Sequence, residues 1–237
     1  MRKTISNLLK IFAVLFSLTG ITLALIYYEI DGYSHSWKRL MYFTMQSNIW
    51  LVCVYIIYLI APKLKYFQSP KKMDVLYVVK YIFTVSITLT GIIFCSVLGP
   101  FAGEEFRAWS FSSISTHAVT PALAIIDFFI DDYEFKFKNT QVLLPLIPPF
   151  AYFVFAMVLG FFGVDFGRGD PFPYFFLNFK TPAGFFGIVN EPPLPTIGSF
   201  YWIMLCLIIV LGMSLLFAKF SHTAVKERKL KKQSDKE

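Results

Sequence analysis

The chain is short of charge. Of its 237 residues only 16% are Asp, Glu, Lys or Arg, while 56% are hydrophobic, against about a quarter charged in an ordinary soluble domain. That imbalance excludes a soluble enzyme and an isolated nucleic-acid-binding domain. Cysteine is scarce as well. Cys53, Cys95 and Cys206 all fall in apolar stretches, with neither a disulfide framework nor a zinc-binding spacing. Histidine occurs three times, and a single intramembrane imidazole with no second ligand at helical spacing is poor metal ligation, so no metal and no cofactor are expected. No internal repeat relates the two halves, which weakens a transporter architecture. A cleavage site is missing too: the apolar run after Arg2 and Lys3 exceeds the usual secretory h-region and meets no small-x-small motif, so it reads as a retained first helix.

What is present is six apolar runs of roughly 20 residues, the length a helix needs to cross a bilayer. They lie at Leu8 to Tyr28, Met41 to Ala61, Val75 to Leu98, Ser110 to Ile130, Val142 to Phe162 and Gly198 to Ala218. The expected fold is all-α, a six-transmembrane-helix bundle over residues 1–220, with short loops making each of the first five helices a neighbour of the next. Residues 221–237 form a basic tail, expected to be disordered and drawn to anionic headgroups. The +7 net charge reports topology. Of 22 Lys and Arg, 17 fall on the side of both termini, Lys10 and Lys80 among them, and 5 on the other. The positive-inside rule then puts both termini of this integral membrane protein in the cytoplasm. The lipid bilayer is the expected partner, nucleic acid is not, and the sequence leaves the oligomeric state open.

One connection is long. From Gly163 to Ile197 the chain is rich in Gly, Pro and aromatics. Loops beyond about 12 to 15 residues are commonly lids or binding segments, so this one is expected either to form the lip of an amphiphile site or to anchor at headgroup level.

Polar side chains at membrane depth are costly, so they are the informative ones. Thr44, Ser47, Asn48 and Leu51 share one face of the second helix; Ser110, Ser113, His117 and Thr120 share one face of the fourth, with Pro121 four residues after the histidine. Thr44 lies about 5 Å and His117 about 10 Å from the same end of the bundle, at about 1.5 Å per residue. A hydroxyl beside a neutral imidazole is the first requirement for a nucleophile activated by a base. Gln46, Ser47, Asn48 and Ser113 are candidates to line that site or to stabilise an oxyanion. The same side chains also fit helix–helix glue, or a proton relay through His117 in a small transporter. Asp127, near the far end of the fourth helix, is expected to reach headgroups or a cytoplasmic lysine, and Thr84, Thr88, Gly91 and Cys95 to form a packing stripe on the third helix.

The segment Tyr42-Phe43-Thr44-Met45-Gln46-Ser47-Asn48, together with Thr116-His117-Ala118-Val119-Thr120-Pro121 and the run on to Asp127, resembles the paired signature of the androgen-induced-protein family and its bacterial six-span relatives. The family's animal members are multi-pass threonine hydrolases of fatty acid esters of hydroxy fatty acids. The resemblance implies Thr44 as nucleophile, His117 as base, an acyl-threonine intermediate, and a membrane lipid or fatty acyl ester as substrate. The long aromatic loop before the sixth helix has no counterpart that can be matched to the animal enzymes.

Overall fold

The computed structural model describes residues 2–100, 107–190 and 196–234. It is an all-α bundle with six helices long and apolar enough to span a membrane: α1 (Arg2–Ile26), α2 (Phe43–Lys63), α3 (Pro70–Leu98), α4 (Phe111–Ile130), α5 (Asn139–Phe161) and α6 (Ser199–Ser221). The chain is an integral membrane protein. A two-stranded ribbon, β1 (Ile188–Val189) with β2 (Thr196–Ile197), is the only sheet among the described residues.

Packing is less uniform than short loops suggested. α1, α2, α3 and α4 form a closed group in which α4 packs against both α1 and α3, but α4 does not run alongside α5; α5 rests instead on α3 and α6. The connection from Asp131 to Lys138 explains this. It is extended and crosses the end of α3, where Phe137 packs 4.3 Å from the Tyr81 ring and 5.9 Å from Tyr77, carrying the chain to the far side before α5 begins. α5 itself opens irregularly, because Pro145, Pro148 and Pro149 each remove an amide donor from the first turns. The last helix does not stop at the membrane end: it continues to Ser234, so most of the tail expected to be disordered is helical, and residues 235–237 lie outside the described part.

The polar residues are distributed by end. At the end bearing both termini, Lys10 on α1, Lys80 on α3 and Asp127 on α4 meet Asp131 just beyond α4. Lys10 and Lys80 each lie 2.7 Å from an Asp127 oxygen, Ser6 donates to Asp127 at 2.7 Å, and Lys80 also pairs with Asp131. All four ionic side chains are buried. Asp127 therefore does not reach headgroups, and Lys10 and Lys80 are interior partners rather than loop charges; the asymmetry of the remaining basic residues is unchanged in sign. A charge at this depth survives only when paired, and here two ammonium groups face two carboxylates.

Of the small-residue stripe on α3, Gly91 does the close packing. A β-carbon there would stand 3.0 Å from Pro121 and 3.2 Å from the His117 carbonyl, and one at Gly20 of α1 would stand 2.7 Å from the Thr116 methyl. α4 is clamped between two glycines at the level of His117. Cys95, at the end of that stripe, faces outward, as does Cys53.

Candidate functional site

The opposite end of the bundle holds Thr44 and His117. α2 begins at Phe43 with Tyr42 as its N-cap, which gives no side-chain cap, so Thr44 sits in the first turn and is buried. Ser110 caps α4 by accepting from the Ser113 amide at 3.2 Å. The helix then widens into a π turn, Ser115–Val119, centred on His117. Pro121 supplies the reason: it cannot donate to the His117 carbonyl four residues before it, and its ring would collide with that carbonyl in a regular α-helix. The π turn absorbs the conflict and turns the imidazole into the bundle. α3 ends in a second π turn, Phe94–Leu98, from which Phe94 stacks on the imidazole at 4.3 Å between centroids.

The Thr44 hydroxyl lies 3.1 Å from His117 Nε2, within the reach that proton transfer between nucleophile and base requires. The other ring nitrogen fixes the tautomer. His117 Nδ1 is 2.9 Å from the Ser113 carbonyl oxygen; a carbonyl only accepts, so Nδ1 carries the hydrogen and the Nε2 lone pair faces Thr44. The Thr116 hydroxyl, 3.1 Å from Nδ1, and the Ser113 hydroxyl, 3.3 Å away, complete that side. Among the described residues no carboxylate takes part; Asp127 is committed to the ionic cluster at the other end.

The remaining candidates are not all free to face a substrate. Asn48 spends both amide hydrogens, on the Thr44 carbonyl at 2.8 Å and the Thr116 carbonyl at 3.0 Å, and its oxygen accepts from Ser17 at 2.9 Å. It ties together the two helical turns that carry Thr44 and His117. Ser47 bridges the Thr44 carbonyl and the Thr90 hydroxyl. Gln46 turns back to the carbonyls of Leu40 and Met41. Only Ser113 of this group lines the cavity onto which Thr44 and His117 open.

That cavity, of ≈ 370 Å³, is walled by α2 and α4 on one side and by the long loop on the other, including Arg168, Phe172 and Tyr174. The loop is not merely an interfacial anchor. Phe166, Phe172, Phe176 and Leu177 are buried against the bundle, while Phe175 and Phe186 are exposed. Its base is fastened by Asp165, which accepts from Lys38 at 2.6 Å and from the amides of Gly167 at 2.7 Å and Gly169 at 2.9 Å. Gly167 and Gly169 both have positive φ, which lets the chain fold back over the carboxylate. Burial raises the Asp165 pKa but Lys38 and those two amides outweigh it and hold the carboxyl below its usual range.

Three features of the site carried no clear signal in the sequence. Tyr174 brings its hydroxyl oxygen against the Thr44 hydroxyl and amide, and burial pushes its pKa up to about 12, so it stays protonated at neutral pH. Arg39 and Arg168 lie over the Tyr33 ring, 4.7 and 4.5 Å from its centroid, and Arg39 also pairs with Asp31. With Arg107 they line the cavity with three arginines against two carboxylates, Asp31 and Asp170, a net basic wall. Thr116 was visible only as a neighbour of the histidine. Among the described residues no three His, Cys, Asp or Glu side chains converge as a metal site.

Comparison with known protein families, with curated proteins and with solved structures returns no match to this chain.

Proposed function

We propose that the protein is a membrane-embedded lipid-ester hydrolase in which Thr44 is the nucleophile and His117 the general base. The observation that carries this reading is the 3.1 Å contact between the Thr44 hydroxyl and His117 Nε2, with the imidazole hydrogen held on Nδ1 by the Ser113 carbonyl, at the wall of a cavity. The sequence resemblance to the androgen-induced-protein family points to the same two residues and to fatty acid esters, such as those of hydroxy fatty acids, as the substrate class.

In the proposed reaction the Thr44 oxygen bonds to the ester carbonyl carbon as His117 Nε2 takes the hydroxyl proton. The oxyanion is met at the first turn of α2, where the Met45 N–H has no acceptor within the helix and the helix dipole favours negative charge; the Phe43 and Thr44 amides lie against the Tyr152 and Tyr174 hydroxyls, and Thr44 and Met45 both line the cavity. The tetrahedral intermediate collapses, breaking the bond to the alcohol oxygen, which leaves with the proton from Nε2. Water then attacks the acyl-threonine, gives its proton to Nε2, and the Thr44 oxygen recovers a proton as the carboxylic acid departs. A relay through His117 in a transporter has weaker support, because Nδ1 ends on a backbone carbonyl and not on another titratable side chain. By the distribution of basic residues the site faces the outer leaflet, and the resemblance to bacterial six-span proteins points to a bacterial plasma membrane.

A fluorophosphonate probe should phosphonylate Thr44 in the purified protein. Thr44→Ala should abolish labelling, and His117→Gln should slow it by about 10² to 10⁴ fold. Undiminished labelling of Thr44→Ala would sink the assignment.

A further inference from the structure

Thr44 stands where two cavities meet. One is the arginine-lined vestibule; the other, of ≈ 30 Å³, lies between α3 and the α5–α6 pair and is walled mainly by apolar side chains, among them Leu89, Ile93, Phe153 and Cys206. Tyr174 also borders both, whereas His117 lines only the vestibule. This asymmetry orients an ester. The alcohol oxygen must receive its proton from His117 Nε2, so the alcohol part lies on the histidine side, in the vestibule. The acyl part, on the opposite side of the carbonyl carbon, is directed at the other cavity.

We propose that the apolar cleft between α3, α5 and α6 receives the acyl chain of the substrate, that Leu89, Phe153 and Cys206 set the length it accepts, and that the alcohol part occupies the arginine-lined vestibule. The assignment rests on the hydrolase reading and names the halves of its substrate. Apolar walls suit a chain that makes no hydrogen bonds, and polar groups of the vestibule suit an alcohol part that does. The volume sets the selectivity. At ≈ 30 Å³ the cleft is narrow and takes only the start of an acyl chain, so longer chains enter only as the walls part. The Tyr152 hydroxyl is buried at the edge of this cleft, against the Phe43 backbone and the Tyr174 hydroxyl.

The test uses the full chain in mixed micelles and two esters of one alcohol, the acetyl and decanoyl esters of 4-hydroxybenzoate. Cys206→Phe and, separately, Leu89→Phe should lower kcat/KM for the decanoyl ester by about 10-fold or more while changing the acetyl ester less than about 2-fold, and Phe153→Ala should raise the decanoyl rate relative to the acetyl rate. Labelling of Thr44 by a small fluorophosphonate, kept at its wild-type rate, identifies the variants that remain folded. Equal losses on both esters in such variants, or no loss on either, would overturn the assignment. So would a Cys206→Phe effect that follows the size of the alcohol. If the wild-type protein neither hydrolyses an ester nor labels at Thr44, the hydrolase reading itself fails and takes this assignment with it.

Discussion

The bundle holds two polar regions at membrane depth, and they solve the same problem in opposite ways. At the end of the termini, Lys10, Lys80, Asp127 and Asp131 are buried and pair with one another. At the other end, Thr44 and His117 are neutral, joined by one hydrogen bond, and exposed to ≈ 370 Å³ of space. Buried charges matched to each other define how helices assemble. A neutral hydroxyl and imidazole beside a cavity cost less to keep and leave a nucleophile and a lone pair available. The difference separates a structural pin from a reaction site without appeal to residue type, since both regions contain the residues that chemistry uses.

The sharpest way to break the comparison is to remove one member from each region. Asp127→Leu leaves Lys10 and Lys80 facing Asp131 alone, and breaking a buried pair by deleting one partner typically costs about 3 to 5 kcal/mol. Thermal unfolding in detergent should show that loss, and adding Lys10→Met to Asp127→Leu should recover most of it. Thr44→Ala should be near wild type in the same measurement while losing probe labelling. If Asp127→Leu were the harmless change and Thr44→Ala the unfolding one, the two roles would have to be exchanged.

How far the sequence foretold this arrangement depends on the interaction. Helical periodicity put Thr44 and His117 on inward faces at compatible depth, because span ends and 3.6-residue spacing are local properties. It also grouped Asn48 and Ser47 with Thr44, but could not tell an open donor from one already bound to a carbonyl of the neighbouring helix, which is a tertiary fact. Lys10 and Lys80 were read by charge count, which does not register that Asp127 and Asp131 lie within reach across 117 and 51 residues of chain. Pro121 was a visible signal for the π turn, but its effect on the imidazole depends on the clamp by Gly20 and Gly91. Tyr174 reaches Thr44 by the folding of a loop that has no periodicity to read.

The glycine clamp gives an intermediate test, since it links packing to the site. Gly20→Ala places a β-carbon 2.7 Å from the Thr116 methyl, forcing α4 or the Thr116 side chain to move. Overpacking of this kind costs about 1 to 3 kcal/mol. Because Thr116 touches His117 Nδ1, the acylation rate should fall by about 10-fold at the same time, a loss of that size being expected when a reacting group is displaced by a fraction of an ångström. Labelling kinetics and unfolding on one sample would separate the two: stability lost with acylation unchanged would mean that the clamp holds the bundle but not the imidazole.

The smallest effect belongs to the loop wall, whose ties are peripheral. The Asp165 side chain retains 35% of its exposure and its Lys38 partner 15%, so this ion pair is well screened and contributes little. Since its carboxyl is held below the usual range, the contribution is fully present above the unfolded carboxylate value of about 3.9 and is lost as pH falls through the lower folded value. Between pH 5 and 8 the Asp165 carboxylate stays ionised. Asp165→Asn should therefore raise KM for an ester by no more than about 2-fold, with the variant and wild type converging in acid as Asp165 itself becomes neutral. A ten-fold rise in KM at neutral pH would show that the loop is held at this one point, and that the vestibule, unlike the ionic cluster at the other end, depends on a single charge.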